Sequence, residues 1–198
     1  MHIPPILPAA IFLAYASLFV GRSLWLWRAR GINPYVFQAA DSLQRFVERG
    51  FRAVLALFVG YVTLLLAWPE AESRLGLIPG LDRPEIEWAG VAVQIVGAVI
   101  AGTGQVAMRT SWRIGIPAGG PGELVTHGIF RISRNPTFLG MLAQMAGVLL
   151  WSPTALTAAL LVLGWTVIQV QVRQEEAALS RSFPQAWPAY AGRVRRWV

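Results

Sequence analysis

The chain has 198 residues, 55% of them hydrophobic and 14% charged, where a soluble domain carries roughly 25% charged. A mean hydropathy of +0.51, with the apolar residues bunched in long runs, excludes an ordinary soluble domain and points to one compact membrane domain. The net charge of +7 and pI near 11.2 come from arginines at the ends of those runs, which marks topology and lipid-headgroup contact and excludes nucleic-acid recognition.

The first apolar run covers about residues 3 to 27. It lacks a basic start and an Ala-x-Ala cleavage site, so it reads as a retained membrane helix ending in the interfacial pair Trp25 and Trp27. The polar segment 28 to 50 follows, where Phe37, Leu43, Phe46 and Val47 predict a helix lying on the membrane surface. A second run, 51 to 68, ends at Trp68-Pro69, and an acidic connector carries the chain to 87. The third run, 88 to 107, is rich in Gly and Ala, which favours close helix packing in lipid. Its Gly102-Thr103-Gly104 reads as part of that packing and not as a dinucleotide loop, since no strand precedes it.

Residues 108 to 135 form a polar, glycine-containing loop able to wrap a ligand with backbone groups. The fourth run starts at Pro136, a favourable first helical position, and reaches Trp151. Ser152-Pro153 breaks it, and the fifth run covers 154 to 172. The fold class is therefore all-α and polytopic, with about five transmembrane helices, the last two a C-terminal hairpin.

Arginine counts orient the chain. Segment 28 to 52 has five, the loop 109 to 134 four and the tail from 173 five, against two in the remaining connector. The positive-inside rule puts the N-terminus outside and the two rich loops and the tail in the cytoplasm. The Arg, Ala, Gly and Pro bias is that of a GC-rich bacterial genome, so the membrane expected is a bacterial inner membrane. A helix beginning at 154 exhausts the ~30 Å hydrocarbon core after about 20 residues at ~1.5 Å per residue. Glu175 and Glu176 then fall just beyond the cytoplasmic face, where Pro136 also begins. The hairpin brings Arg131, Arg134 and Asn135 near the two glutamates.

There is no cysteine and no lysine, and the two histidines are His2 and His127. Thiolate metal sites, disulfides, cysteine nucleophiles and lysine Schiff bases are excluded, and no metal site is expected. A reaction performed here must bring its own reactive group.

The chain resembles the isoprenylcysteine carboxyl methyltransferase family in three ordered pieces. These are Leu124-Val125-Thr126-His127-Gly128-Ile129-Phe130 running on to Arg134-Asn135-Pro136-Thr137-Phe138-Leu139-Gly140, then Glu175-Glu176, then Phe183, Trp187, Tyr190, Arg193 and Val194. Ser111-Trp112-Arg113-Ile114-Gly115 is similar to its bacterial members. Related integral-membrane phospholipid N-methyltransferases share the hairpin and the Glu-Glu pair.

The resemblance implies S-adenosylmethionine as methyl donor at the cytoplasmic face. It divides the chain into N-terminal helices (1–107) and a methyltransferase core (108–198). Gly122, Glu123, Leu124, Val125, Phe130, Asn135, Pro136, Thr137 and Phe138 would line the cofactor, and Glu175, alone or with Glu176, would hold its amino end. Arg134, Arg173, Glu176 and Arg193 are the implied catalytic residues. The family arginine that faces the substrate carboxylate is nearest to Arg173 here, although Gln171 stands at its position. The family's His-Pro is Asn135-Pro136, and two motif tyrosines are Phe130 and Phe138.

Taken singly, Arg131 fits a positive-inside anchor and His127 an ordinary loop histidine, while Arg134 beside Asn-Pro fits a functional site. The expected reaction is carboxyl O-methylation of a lipophilic substrate drawn from the bilayer. Alternatives are N-methylation of a phospholipid amine, with Glu176 or His127 taking up the proton, and a non-catalytic membrane scaffold. A reductase of the sterol-reductase type would need a much larger chain.

Overall fold

Four of the apolar runs become helices of 24 residues or more in the computed structural model, which describes residues 3–36, 42–117 and 120–198. In chain order the helices are α1 (Ile6–Arg30), α2 (Ser42–Ala67), α3 (Pro84–Ala107), α4 (Pro136–Trp151), α5 (Ala155–Ser182) and the short α6 (Ala186–Ala191). Among the described residues there is no strand, only two isolated bridges, Tyr35 with Ile114 and Leu77 with Thr154. The protein is an all-α polytopic membrane protein. Helices α1, α2, α3 and α5 are each long and apolar enough to cross a bilayer. Helix α4 has 16 residues, a length of about 24 Å at ~1.5 Å per residue against a core of ~30 Å.

Local chemistry sets the boundaries. Pro84 and Pro136 open α3 and α4 at the position where a missing N–H costs nothing. Thr154 and Thr157 cap α5 reciprocally, Thr157 N donating to Thr154 Oγ1 at 3.2 Å and Thr154 N to Thr157 Oγ1 at 3.0 Å.

The second apolar run is not separated from a surface helix. Helix α2 runs unbroken from Ser42, because no proline interrupts it and Gly50 packs against the side chain of Val167 on α5. Val47 is fully buried within it, while Leu43 and Phe46 stay exposed; Phe37 lies outside the described residues. Helix α5 likewise continues past 172 through both glutamates to Ser182.

Helices α3 and α4 meet backbone to backbone. Gly90, Gly97 and Gly104 recur every seventh residue on α3, and Gly140 and Gly147 do so on α4. A Cβ on Gly97 would sit 2.8 Å from Gly140 O, and one on Gly147 would sit 2.7 Å from Gly90 O. Between helices in lipid such small-residue seams replace the missing hydrophobic drive with close dispersion contact. The main core cluster links α1, α2, α3, α4 and α5 through residues such as Phe12, Phe58, Val91, Val148 and Val167. A separate cluster of Trp187, Tyr190 and Val194 packs the tail on Leu124, Leu179 and Phe183, and so ties the polar loop to the end of α5.

Candidate active site

A cavity of about 330 Å³ lies where the polar loop, the ends of α4 and α5, and the inner faces of α1 and α2 converge. Glu123, Leu124, Val125, Phe130, Asn135, Pro136, Thr137, Phe138 and Glu175 all line it, and so does Arg134. Gly122 does not; it packs against Ser111, whose Oγ accepts from Glu123 N at 3.4 Å. Phe138 takes part in the wall through a stacked contact with Phe51 of α2, ring centroids 6.3 Å apart.

The neighbouring glutamates do different work. Glu175 faces the cavity and accepts from Gln171 Nε2 at 2.6 Å. Glu176 is buried outside the cavity wall, in a clamp built from three segments. Arg196 grips both its oxygens, Nη2 at 2.7 Å from Oε2 and Nε at 3.1 and 3.2 Å. Asn135 Nδ2 donates to Glu176 Oε1 at 3.0 Å, and Arg134 Nε stands 3.4 Å from the same oxygen. The bond to Glu176 raises the pKa of Arg196.

The tail then holds the loop that carries Arg134 and Asn135. Arg134 N donates to Arg195 O at 3.0 Å, Asn135 Nδ2 to Arg196 O at 3.2 Å, and Tyr190 Oη to Phe130 O at 2.8 Å. The guanidinium of Arg134 lies over the Trp187 ring, 5.6 Å from its centroid. Burial raises the Tyr190 phenol to about 12, so the hydroxyl remains a donor.

Five residues of the cavity wall carry a buried side-chain N or O without a hydrogen-bond partner among the described residues: Tyr15 Oη, Arg134 Nε (ion-paired with Glu176), Thr137 Oγ1 (turned towards Gly104 of α3), Gln144 Oε1 and Gln171 Oε1. Leaving such groups unmade costs about 1–3 kcal/mol each, which a bound molecule can recover. Around them the walls are apolar, with Phe12, Phe19, Val54 and Phe58 reaching in from α1 and α2. Val20 and Leu55 line the cavity while remaining about half exposed (51% and 52%), so the cavity reaches the lipid side between α1 and α2.

Arg173 and Arg193 are not brought to the cavity. Both are exposed, and Arg193 Nε donates only to Ala189 O, one turn back. Arg131 and His127 are exposed and also outside it. Sequence reasoning gave no site role to Arg196, Arg113, Gln144 or Gln171, although Arg113 lies in the resembling Ser111-to-Gly115 stretch and Gln171 at the family arginine's position. Gln144 and Gln171 had a readable signal: a polar residue inside an apolar membrane run is costly and marks a site. Arg196 had none, since three arginines crowd the last six positions.

The fold and the cavity are those of a helical membrane protein with a polar-headed, apolar-walled site at its helix ends. Residues 87–186 match the phospholipid methyltransferase family, and the chain belongs to it. Among its relatives are the probable protein-S-isoprenylcysteine O-methyltransferases of Oryza sativa subsp. indica and subsp. japonica. Each is 30% identical over 179 residues, covering 86% of this chain and 92% of the relative. No solved structure matches the chain at a significant level.

Proposed function

We propose that this methyltransferase uses S-adenosylmethionine to O-methylate the carboxylate of a lipophilic, isoprenylcysteine-like acceptor. One observation carries the reading: a single cavity is lined both by the polar loop with Glu175 and by apolar side chains from the membrane-spanning parts of α1 and α2. The donor set suits the cofactor. Glu175 presents a carboxylate for a cationic amino group, and Gln171 Oε1 is unpartnered beside it. Leu124, Val125, Phe130 and Asn135 to Phe138 form the rest of the cofactor wall. S-adenosylmethionine supplies an electrophilic methyl group, so a carboxylate acceptor requires neither a metal nor a general base. The protein's part is to orient the two molecules and to keep water from the carboxylate.

In this reading Glu176, Arg134 and Arg196 position the loop without touching the acceptor, and Arg173 and Arg193 serve the membrane surface. The acceptor's chain reaches the cavity laterally between α1 and α2, past Val20 and Leu55. The arginine distribution supports a cytoplasmic site, with the N-terminus outside and the C-terminus inside.

Calorimetric titration of S-adenosylmethionine and S-adenosylhomocysteine into detergent-purified wild type and Glu175→Gln tests the proposal. Micromolar binding to wild type, lost in the variant, is expected. A folded wild-type protein that binds neither compound refutes it.

A further inference from the structure

Three arginines line the cavity: Arg52, Arg113 and Arg134. Two already have a carboxylate partner. Arg52 Nη2 stands 2.6 Å from Glu48 Oε1, and the same guanidinium donates to Tyr35 Oη at 2.6 and 3.1 Å. Arg134 shares Glu176 with Arg196, its Nε 3.4 Å from Oε1. Arg113 spends Nη1 on two neutral carbonyls, Thr110 O at 2.6 Å and Trp112 O at 2.8 Å, and has no ion-pair partner among the described residues. Its Nε and Nη2, the side-on edge that matches a carboxylate, are left over.

The residue is also held in place. Trp112 beside it is buried, donates Nε1 to Ser23 Oγ at 3.3 Å and meets Phe19 edge-on at 5.3 Å. On its other side Ile114 N donates to Pro34 O at 2.7 Å, and Ile114 O accepts from Val36 N at 3.0 Å. Both backbone neighbours are thus pinned, Trp112 to α1 and Ile114 to segment 34–36. Partial burial lowers the pKa of the Arg113 guanidinium, and no acidic side chain offsets that cost.

We propose that Arg113 anchors the carboxylate of the methyl acceptor. The inference rests on the carboxyl-methyltransferase reading above. Arg113 lines the cavity beside Trp112, which meets Phe19 of α1, whereas Glu175 lines it from α5. Arg173, the cation nearest the glutamates in sequence, is exposed and outside the cavity. One acceptor oxygen held by a single N–H of that edge leaves the second free to react.

The test is binding to the full-length protein saturated with S-adenosylhomocysteine, in detergent. The probes are an S-prenylated cysteine derivative with a free carboxylate and its carboxamide, titrated into wild type, Arg113→Gln and Arg113→Lys. Wild type is expected to prefer the acid by about tenfold or more, the weight of one charge-assisted hydrogen bond. Arg113→Gln should bind acid and amide equally, with unchanged affinity for S-adenosylhomocysteine, and Arg113→Lys should restore part of the preference. A preference retained in Arg113→Gln overturns the inference. So does a fall in its S-adenosylhomocysteine affinity, which would assign the arginine to the cofactor. Wild type that binds S-adenosylhomocysteine but does not distinguish acid from amide also overturns it, leaving the cofactor assignment intact. Failure of wild type to bind S-adenosylhomocysteine at all is the distinct failure of the methyltransferase reading.

Discussion

Replacing Arg196 by alanine removes the largest part of the clamp on Glu176. Three of the four contacts shorter than 3.3 Å to that carboxylate come from Arg196. Removing one partner of a buried ion pair costs about 3–5 kcal/mol, because the other charge is left without compensation. Here the arginine side chain is 36% exposed and Glu176 keeps Asn135 and Arg134. Solvent and those partners offset roughly half, leaving a loss of about 2 kcal/mol. At about 2–4 °C per kcal/mol for a chain of this size, the Tm should fall by about 4–8 °C. Thermal melting followed by tryptophan fluorescence reads this, since Trp187 and Trp197 sit in the tail. Arg193→Ala is the control, expected within about 0.5 kcal/mol of wild type because Arg193 is exposed and its side chain bonds only to Ala189 O, one turn back. Combining Arg196→Ala with Glu176→Gln should cost less than the sum of the two by about 1 kcal/mol or more. Additive effects, or an Arg196→Ala melt indistinguishable from that of Arg193→Ala, would refute the clamp.

The α3–α4 seam should reject bulk at one glycine and accept it at another. A Cβ on Gly140 meets Ala101 N and Gly97 O at 2.5 Å, so Gly140→Leu should destabilise by about 3 kcal/mol or more in a melt. Gly102→Ala on the open face of α3 should instead stabilise by about 0.5–1 kcal/mol. The Tyr190 phenol, raised to about 12 when folded against about 10 unfolded, makes stability fall as pH rises from about 10 to 12, where only the unfolded chain releases that proton. Tyr190→Phe should shallow this slope in Tm measured against pH. Leu55→Trp narrows the gap between α1 and α2 and should raise KM several-fold for a long-chain acceptor, while calorimetry shows unchanged affinity for S-adenosylhomocysteine.

Much of the site was legible because it rests on periodicity and length. Apolar runs of membrane length determined the helices, and the break at Ser152-Pro153 determined that α4 and α5 run antiparallel. Asn135 therefore had to come near Glu176 across 41 positions, as their 3.0 Å hydrogen bond bears out. The polar loop had to lie at those helix ends, since unsatisfied backbone has no place in hydrocarbon. The surface helix expected before α2 failed for a physical reason: a charged helical turn continuous with an apolar one carries no signal of where to break.

What only the tertiary structure decided is which neighbour each charge meets. Adjacent residues on a helix project about 100° apart, so Glu175 and Glu176 face different surroundings, one the cavity and the other the clamp. Nothing in two identical letters distinguishes them. The same holds for the arginines, where Arg196 takes the clamp and Arg193 does not, and Arg113 lines the cavity while Arg173 is left outside. Long flexible side chains on a short tail and a loop are assigned by packing, and packing brings together residues far apart in the chain.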